Sequence, residues 1–172
     1  RGKTYICKFE DLSFTERYDV MIFSESFQYV NMAVSLEKVE KMLSPVGHLL
    51  ICDFFKLDVP MKSIMGGGHR WVAFKEVIEK ANLELISDED ITDGTAPTID
   101  FLDEFCREVL KPVGEMAGRF MLSNHPKITR ILMWKFKYHL DRIKRRYLSG
   151  DVNGESFKKF KTYRLLLYKN RL

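Results

Sequence analysis

Residues 18–30, YDVMIFSESFQYV, carry the stretch that decides the fold. After Asp19 the run to Phe23 is apolar almost throughout, which is how a strand reads when both of its faces are covered. A polar triplet, Ser24, Glu25 and Ser26, stops it. Downstream, Met32, Leu36, Val39 and Leu43 recur at helical spacing with Glu37, Lys38, Glu40 and Lys41 opposite, and Pro45 and Gly47 end the helix. His48–Cys52 (HLLIC) is the next apolar strand and ends at Asp53. Upstream, Thr4–Lys8 (TYICK) is short and rich in β-formers and is expected to be a strand too.

Lys56–His69 holds a proline and three consecutive glycines, Gly66, Gly67 and Gly68, and reads as a loop. Phe74, Val77, Ile78 and Ala81 mark a second amphipathic helix, and Leu83–Ile86 (LELI) a further strand. Strand, helix, strand, helix, strand implies a parallel α/β sheet. From Thr95 the pattern turns helical. Ile99, Leu102, Phe105 and Val109 share one face behind a Thr98 cap with Pro112 closing it. A weaker helix follows over Val113–Leu122, then a long ladder of Ile128, Leu132, Phe136, Leu140, Ile143 and Tyr147. Tyr163–Tyr168 (YRLLLY) returns to strand composition. The expected organisation is a core of residues 1–94 and 161–172 around a helical insertion, 95–160.

With 172 residues, 45% hydrophobic and 30% charged, the chain has material for a real core and too much for a disordered one. No apolar run approaches the roughly 18 residues of a spanning helix. No secretory leader is evident, and residue 1 is Arg, so the chain reads as a piece of a longer polypeptide. Cys7, Cys52 and Cys106 are widely spaced without a CxxC pair, which suggests neither a disulfide framework nor a metal site and fits a reducing, cytoplasmic setting. From Pro126 onward there are 14 Lys+Arg against 3 Asp+Glu, +11, which leaves −7 for the first 125 residues. That basic ladder is readable as a solvated outer face, or as a surface for an anionic membrane, an acidic substrate or nucleic acid. No nucleic-acid-binding motif accompanies it, so nucleic acid is not an expected partner.

Taken in order, FEDLSF (9–14), YDVMIFSESFQYV (18–30), MLSPVGHLLICDFF (42–55), LELISDEDIT (83–92) and YRLLLYKN (163–170) resemble the C-terminal part of a class I S-adenosylmethionine-dependent methyltransferase. The resemblance covers nearly the whole chain. It implies a partial Rossmann-like sheet: Thr4–Lys8 the family's third strand, then the fourth, fifth and sixth, and Tyr163–Tyr168 the seventh, antiparallel between the fifth and sixth. The helical insertion would be a lid. Val46 stands where the family's Pro-Gly-Gly turn has a glycine, and Lys8 where an adenine-contacting aspartate is common, so Glu10 and Asp11 are the neighbouring substitutes. No GxGxG turn occurs in these residues.

The resemblance further implies S-adenosylmethionine as cofactor and a small-molecule methyl acceptor. Ser24, Glu25 and Ser26 would border the methionine end, where a sulfonium cation suits a carboxylate and an aromatic face such as Tyr29. The alternative reading of that triplet is a cap on the following helix. His69, beyond the glycines, would take the acceptor's proton, against a loop histidine that only hydrogen-bonds. Phe54, Phe55 and Trp71 would line the acceptor site, although Trp71 reads first as core or lid packing. Asp53 reads as a site carboxylate or a turn former. The rival function is a non-catalytic binding or assembly module with this fold, in which an open sheet edge pairs with a second copy or a complementing chain.

Overall fold

The computed structural model describes residues 2–13, 16–61 and 63–171. Four strands form one sheet: β1 (Tyr18–Ser24), β2 (Leu43–Lys56), β3 (Leu83–Asp90) and β4 (Lys161–Asn170), in the order β1-β2-β4-β3. β1 and β2 run parallel, with Val20 opposite His48 and Ser24 opposite Cys52. β4 lies antiparallel between β2 and β3, with Leu50 opposite Leu167 and Leu83 opposite Asn170. The expected placement of Tyr163–Tyr168 is thus observed, and the mixed sheet is that of a partial Rossmann-like fold.

One element differs. Thr4–Lys8 is not a strand; it is exposed and irregular. Strand composition needs a neighbour to pair with, and among the described residues none pairs with the outer edge of β1. Phe14, the last residue of the LSF turn, lies outside the described residues.

Period-2 alternation sorts β2 and β4 into two faces. Leu49, Ile51, Asp53 and Phe55 of β2 and Leu166 and Tyr168 of β4 are buried. Against them pack Leu36 and Val39 of α1 (Met32–Met42), Phe74 and Ile78 of α2 (Trp71–Ile78), and Phe27 of the short turn Phe27–Tyr29. Asn31 caps α1, its side-chain oxygen accepting from the Val34 N–H at 3.2 Å. The other face carries Leu50, Leu165 and Leu167, half-buried, with Val20 57% and Ile22 61% exposed on β1. Both helices of the sheet unit lie on the first face, so half of the sheet's apolar surface has no helical cover within that unit.

A second compact unit comprises residues 62–66 and 93–159. It holds most of α3 (Thr92–Phe105) and α7 (Gly154–Phe160), and between them α4 (Lys111–Asn124), α5 (Pro126–Lys135) and α6 (Lys137–Tyr147), with a π-turn at Cys106–Leu110. The helical character is as expected, but the boundaries shift. Thr98 sits inside α3 rather than capping a helix. Pro112 opens α4 rather than closing its predecessor, because a proline lacks only an N–H that the first turn leaves unbonded anyway. The long ladder is broken at Phe136 into α5 and α6. Lys158 pairs with Asp93 at 2.6 Å.

The two faces differ in what they contribute to stability. Ile51→Ala, at a fully buried site, is expected to cost about 2–5 kcal/mol, and Ile22→Ala, at an exposed site on the second face, under about 1 kcal/mol. Urea unfolding followed by circular dichroism distinguishes them; equal losses would mean that the second face is packed as tightly as the first.

Candidate functional site

The carboxyl ends of β1 and β2 finish side by side, Ser24 opposite Cys52. The chain leaves β1 through Glu25, whose φ of 52° is left-handed, a region non-glycine residues seldom occupy. Two bonds hold it there. The Glu25 N–H donates to the Cys52 carbonyl at 2.9 Å, and the Tyr163 hydroxyl donates to Glu25 Oε1. The Cys52 thiol in turn donates to Tyr163 Oη at 3.8 Å. Burial raises the Tyr163 hydroxyl far above the ordinary tyrosine range, and the Glu25 carboxylate pushes the same way, so the hydroxyl remains a donor. Tyr163 reaches this place because β4 runs antiparallel to β2, which sets it opposite Phe54.

On the covered face, Asp53 is 1% exposed. Its Oδ2 accepts the Gln28 N–H at 3.0 Å and its Oδ1 the Phe54 N–H at 2.8 Å, pinning the turn Phe27–Tyr29 to the end of β2. Burial pushes this carboxyl above its usual value, against the pull of the Gln28 and Phe54 N–H groups and of His69. His69 donates from Nε2 to the Phe27 carbonyl at 3.0 Å, and its ring meets Phe27 edge-on at 5.6 Å. The glycine run before it lies against Phe54. A Cβ at Gly68 (φ +76°) would stand 2.8 Å from the Phe54 carbonyl oxygen, and one at Gly67 (φ +73°) 2.7 Å from Gln28 Oε1. Lys161 Nζ donates to the Gly67 carbonyl at 2.6 Å and sits 4.9 Å from the centre of the Phe54 ring.

Ser24, Glu25, Ser26, Phe54, His69 and the buried Asp53 therefore gather at one end of the sheet, and Tyr29 stands beside them, 80% exposed. Ser26 precedes the turn without a side-chain cap bond, so the triplet caps nothing through its hydroxyl there. Glu10, in the turn Phe9–Asp11, accepts the Asn31 N–H on Oε1 at 2.7 Å, a bond that holds its carboxyl below the usual range. Asp11 follows it, exposed. Two residues expected beside an acceptor are placed elsewhere: Phe55 is 1% exposed, packed 5.0 Å from Trp71 and 4.7 Å from Phe74, and Trp71 stacks on Phe74 at 5.5 Å. For Phe55 the reason is parity along β2, since Asp53 and Phe55 share the covered face and Cys52 and Phe54 the other, and Trp71 follows as the first residue of α2, which packs on that face. Tyr163, Gln28 and Lys161 were not anticipated as site residues. The one signal for Tyr163 was register: an antiparallel seventh strand next to β2 must set some residue of YRLLLY opposite Phe54.

A carboxyl raised by burial holds its proton more tightly folded than unfolded. Asp53 thus favours the fold most below its unfolded value near 3.8, and that contribution is lost as pH rises through the folded value. Asp53→Asn removes this dependence. The urea midpoint of the variant is expected to gain on that of the wild type between about pH 4 and pH 7; parallel profiles would show that Asp53 is not desolvated.

No family model matches the chain, and no curated protein does. Solved structures do. The O-methyltransferase of the trans-AT PKS multienzyme of Brevibacillus brevis, with S-adenosyl-L-homocysteine, superposes with a TM-score of 0.56 at 15% identity, over 99% of this chain and 50% of that one. The geranyl diphosphate C-methyltransferase of Streptomyces coelicolor A3(2), with Mg2+, geranyl diphosphate and S-adenosyl-L-homocysteine, gives 0.59 at 14%, over 98% and 52%. A [4+2]-cyclase gives 0.54 at 13%, over 98% and 55%. The chain therefore has part of the class I methyltransferase fold and spans about half the length of the structures it matches. The cyclase shows that this fold does not by itself fix the reaction.

Proposed function

We propose that this chain supplies the C-terminal part of the catalytic domain of an S-adenosylmethionine-dependent methyltransferase that acts on a small-molecule acceptor. The observation that carries the reading is Glu25, fixed in a left-handed conformation at the carboxyl end of β1 with its carboxylate held by the buried Tyr163. In open α/β sheets that end of the strands is where ligands lie. The structural neighbours that carry S-adenosyl-L-homocysteine support the cofactor, and the one that carries geranyl diphosphate supports a small acceptor.

The residues present fit the methionine end of such a cofactor. A carboxylate at Glu25, hydroxyls at Ser24 and Ser26 and the exposed ring of Tyr29 offer a cation both charge and a π face. Glu10 or Asp11 is assigned to the adenine, Glu10 with Oε1 already on Asn31. When bound, S-adenosylmethionine supplies an electrophilic methyl group on a sulfonium. The chain's own task is alignment and exclusion of water, which dominate a displacement of this kind. His69 has Nε2 committed to Phe27, so Nδ1 is the ring nitrogen proposed to take an acceptor's proton. Phe54 is the aromatic assigned to the acceptor. The insertion, residues 95–160, is assigned the role of cover from its place in the chain between β3 and β4. A reducing, cytoplasmic setting belongs to the same proposal, with Cys7, Cys52 and Cys106 as free thiols.

Chemical-shift mapping with S-adenosylhomocysteine tests this directly. Amides of Ser24–Gln28 are expected to move with an affinity of order millimolar, about 4 kcal/mol, and Glu25→Ala to abolish the response while the rest of the spectrum persists. No movement near Ser24–Gln28 at saturating ligand would overturn the reading.

A second reading, an assembly module, is favoured by the edge of β1 and the face beside it, where Val20 and Ile22 stand in solvent. It expects pairing of that edge with another copy or a complementing chain. Light scattering should then give a dimer that Val20→Lys with Ile22→Lys converts to monomer; a monomer in both cases excludes self-pairing.

A further inference from the structure

Helices α5 and α6 present two different apolar sides. One belongs to the helical unit itself: Leu132, Phe136, Leu140 and Ile143 line a groove of about 1030 Å³ shared with α4. The other takes no part in that groove. It is a ridge of Ile128, Ile131, Trp134 and Tyr138, exposed by 59%, 62%, 80% and 67%. Exposed cations, Lys127, Arg130, Lys135 and Lys137, alternate with it, and residues 126–147 as a whole hold eight Lys or Arg against a single Asp. Large aliphatic and aromatic side chains in solvent beside that density of positive charge form a combined apolar and cationic surface.

We infer that this ridge docks on an anionic lipid surface, with α5 and α6 lying in the plane of the interface. Ile128 and Ile131 enter the acyl boundary. Trp134 and Tyr138, each apolar in body and polar at one edge, sit at headgroup depth, and the flanking lysines and arginines meet the lipid phosphates. No helix among the described residues is long and apolar enough to cross a membrane, so the ridge lies on a bilayer and does not span it. Charge selects the occupant. Two copies of the ridge face to face would oppose Lys127, Arg130, Lys135 and Lys137 with the same four cations, which disfavours self-association. A nucleic acid would satisfy the cations and stack on the aromatics but leave the two isoleucines against a hydrated polyanion. This inference rests on the helical unit alone and stands apart from methyl transfer.

Trp134 reports on docking, the other tryptophan, Trp71, being packed against the core of the sheet unit. The 172-residue chain is expected to co-sediment with phosphatidylcholine vesicles that contain phosphatidylglycerol and not with phosphatidylcholine alone, and its tryptophan emission to shift to the blue on binding. Added salt should release it. Trp134→Ser with Tyr138→Ser should weaken binding about tenfold with helicity unchanged, and Lys127→Glu with Arg130→Glu should abolish it. Should the charge reversals unfold the helices, the salt titration on the wild type decides alone. Three results overturn the inference: no binding to anionic vesicles, equal binding to neutral ones, or single-stranded RNA binding tightly where anionic vesicles do not. A blue shift without lipid, accompanied by a dimeric mass, would assign the ridge to a second copy instead.

Discussion

The insertion of β4 between β2 and β3 is the constraint from which the rest of the sheet unit follows. A parallel neighbour would have needed a crossover on one face; an antiparallel one is held on both sides by its ladders alone, and sets its own first residues, Lys161–Tyr163, beside the carboxyl end of β2. That reversal sets Arg164 opposite Asp53 and Tyr163 opposite Phe54. From there the Tyr163 hydroxyl reaches the carboxylate of Glu25, a residue 138 positions earlier. Were the strand to slip by one residue, Tyr163 would turn to the covered face and Glu25 would lose its partner. The site is thus a product of strand register more than of any local motif.

The sheet was largely legible because buried strands announce themselves: YDVMIF, HLLIC, LELI and YRLLLY are all strands, each extended by flanking residues that composition alone does not mark. TYICK has the same composition and fails, which shows that β-forming residues are a permission and that pairing is the cause. In the insertion the helical periods were readable but the punctuation was not. Pro112 serves equally well to stop one helix or to begin another, and only the backbone decides.

The site was legible to the level of the strand ends and no further. Ser24, Glu25 and His69 fall at the same end of the sheet because loops follow strands, which the order of elements already implied. Phe54 and Phe55 are adjacent on β2 and so face opposite ways, but which of them joins Asp53 on the covered face shows only once the helices are in place. Tyr163 was out of reach, because its partner depends on a register that no local pattern encodes. The exposure of Val20 and Ile22 was equally out of reach, since both read as covered until the sheet shows on which side its own helices fall.

Gly67 and Gly68 are the kind of residues that suggest a supple hinge, yet here they allow close approach, Gly68 to the Phe54 backbone at a distance no side chain permits and Gly67 to the Gln28 amide. The segment is bracketed from both sides, by Lys161 at Gly67 and by Lys56 and Phe27 at His69. A side chain introduced at Gly68 would have to displace the backbone of β2 itself, so the cost of change at this corner falls on the sheet and not on the loop.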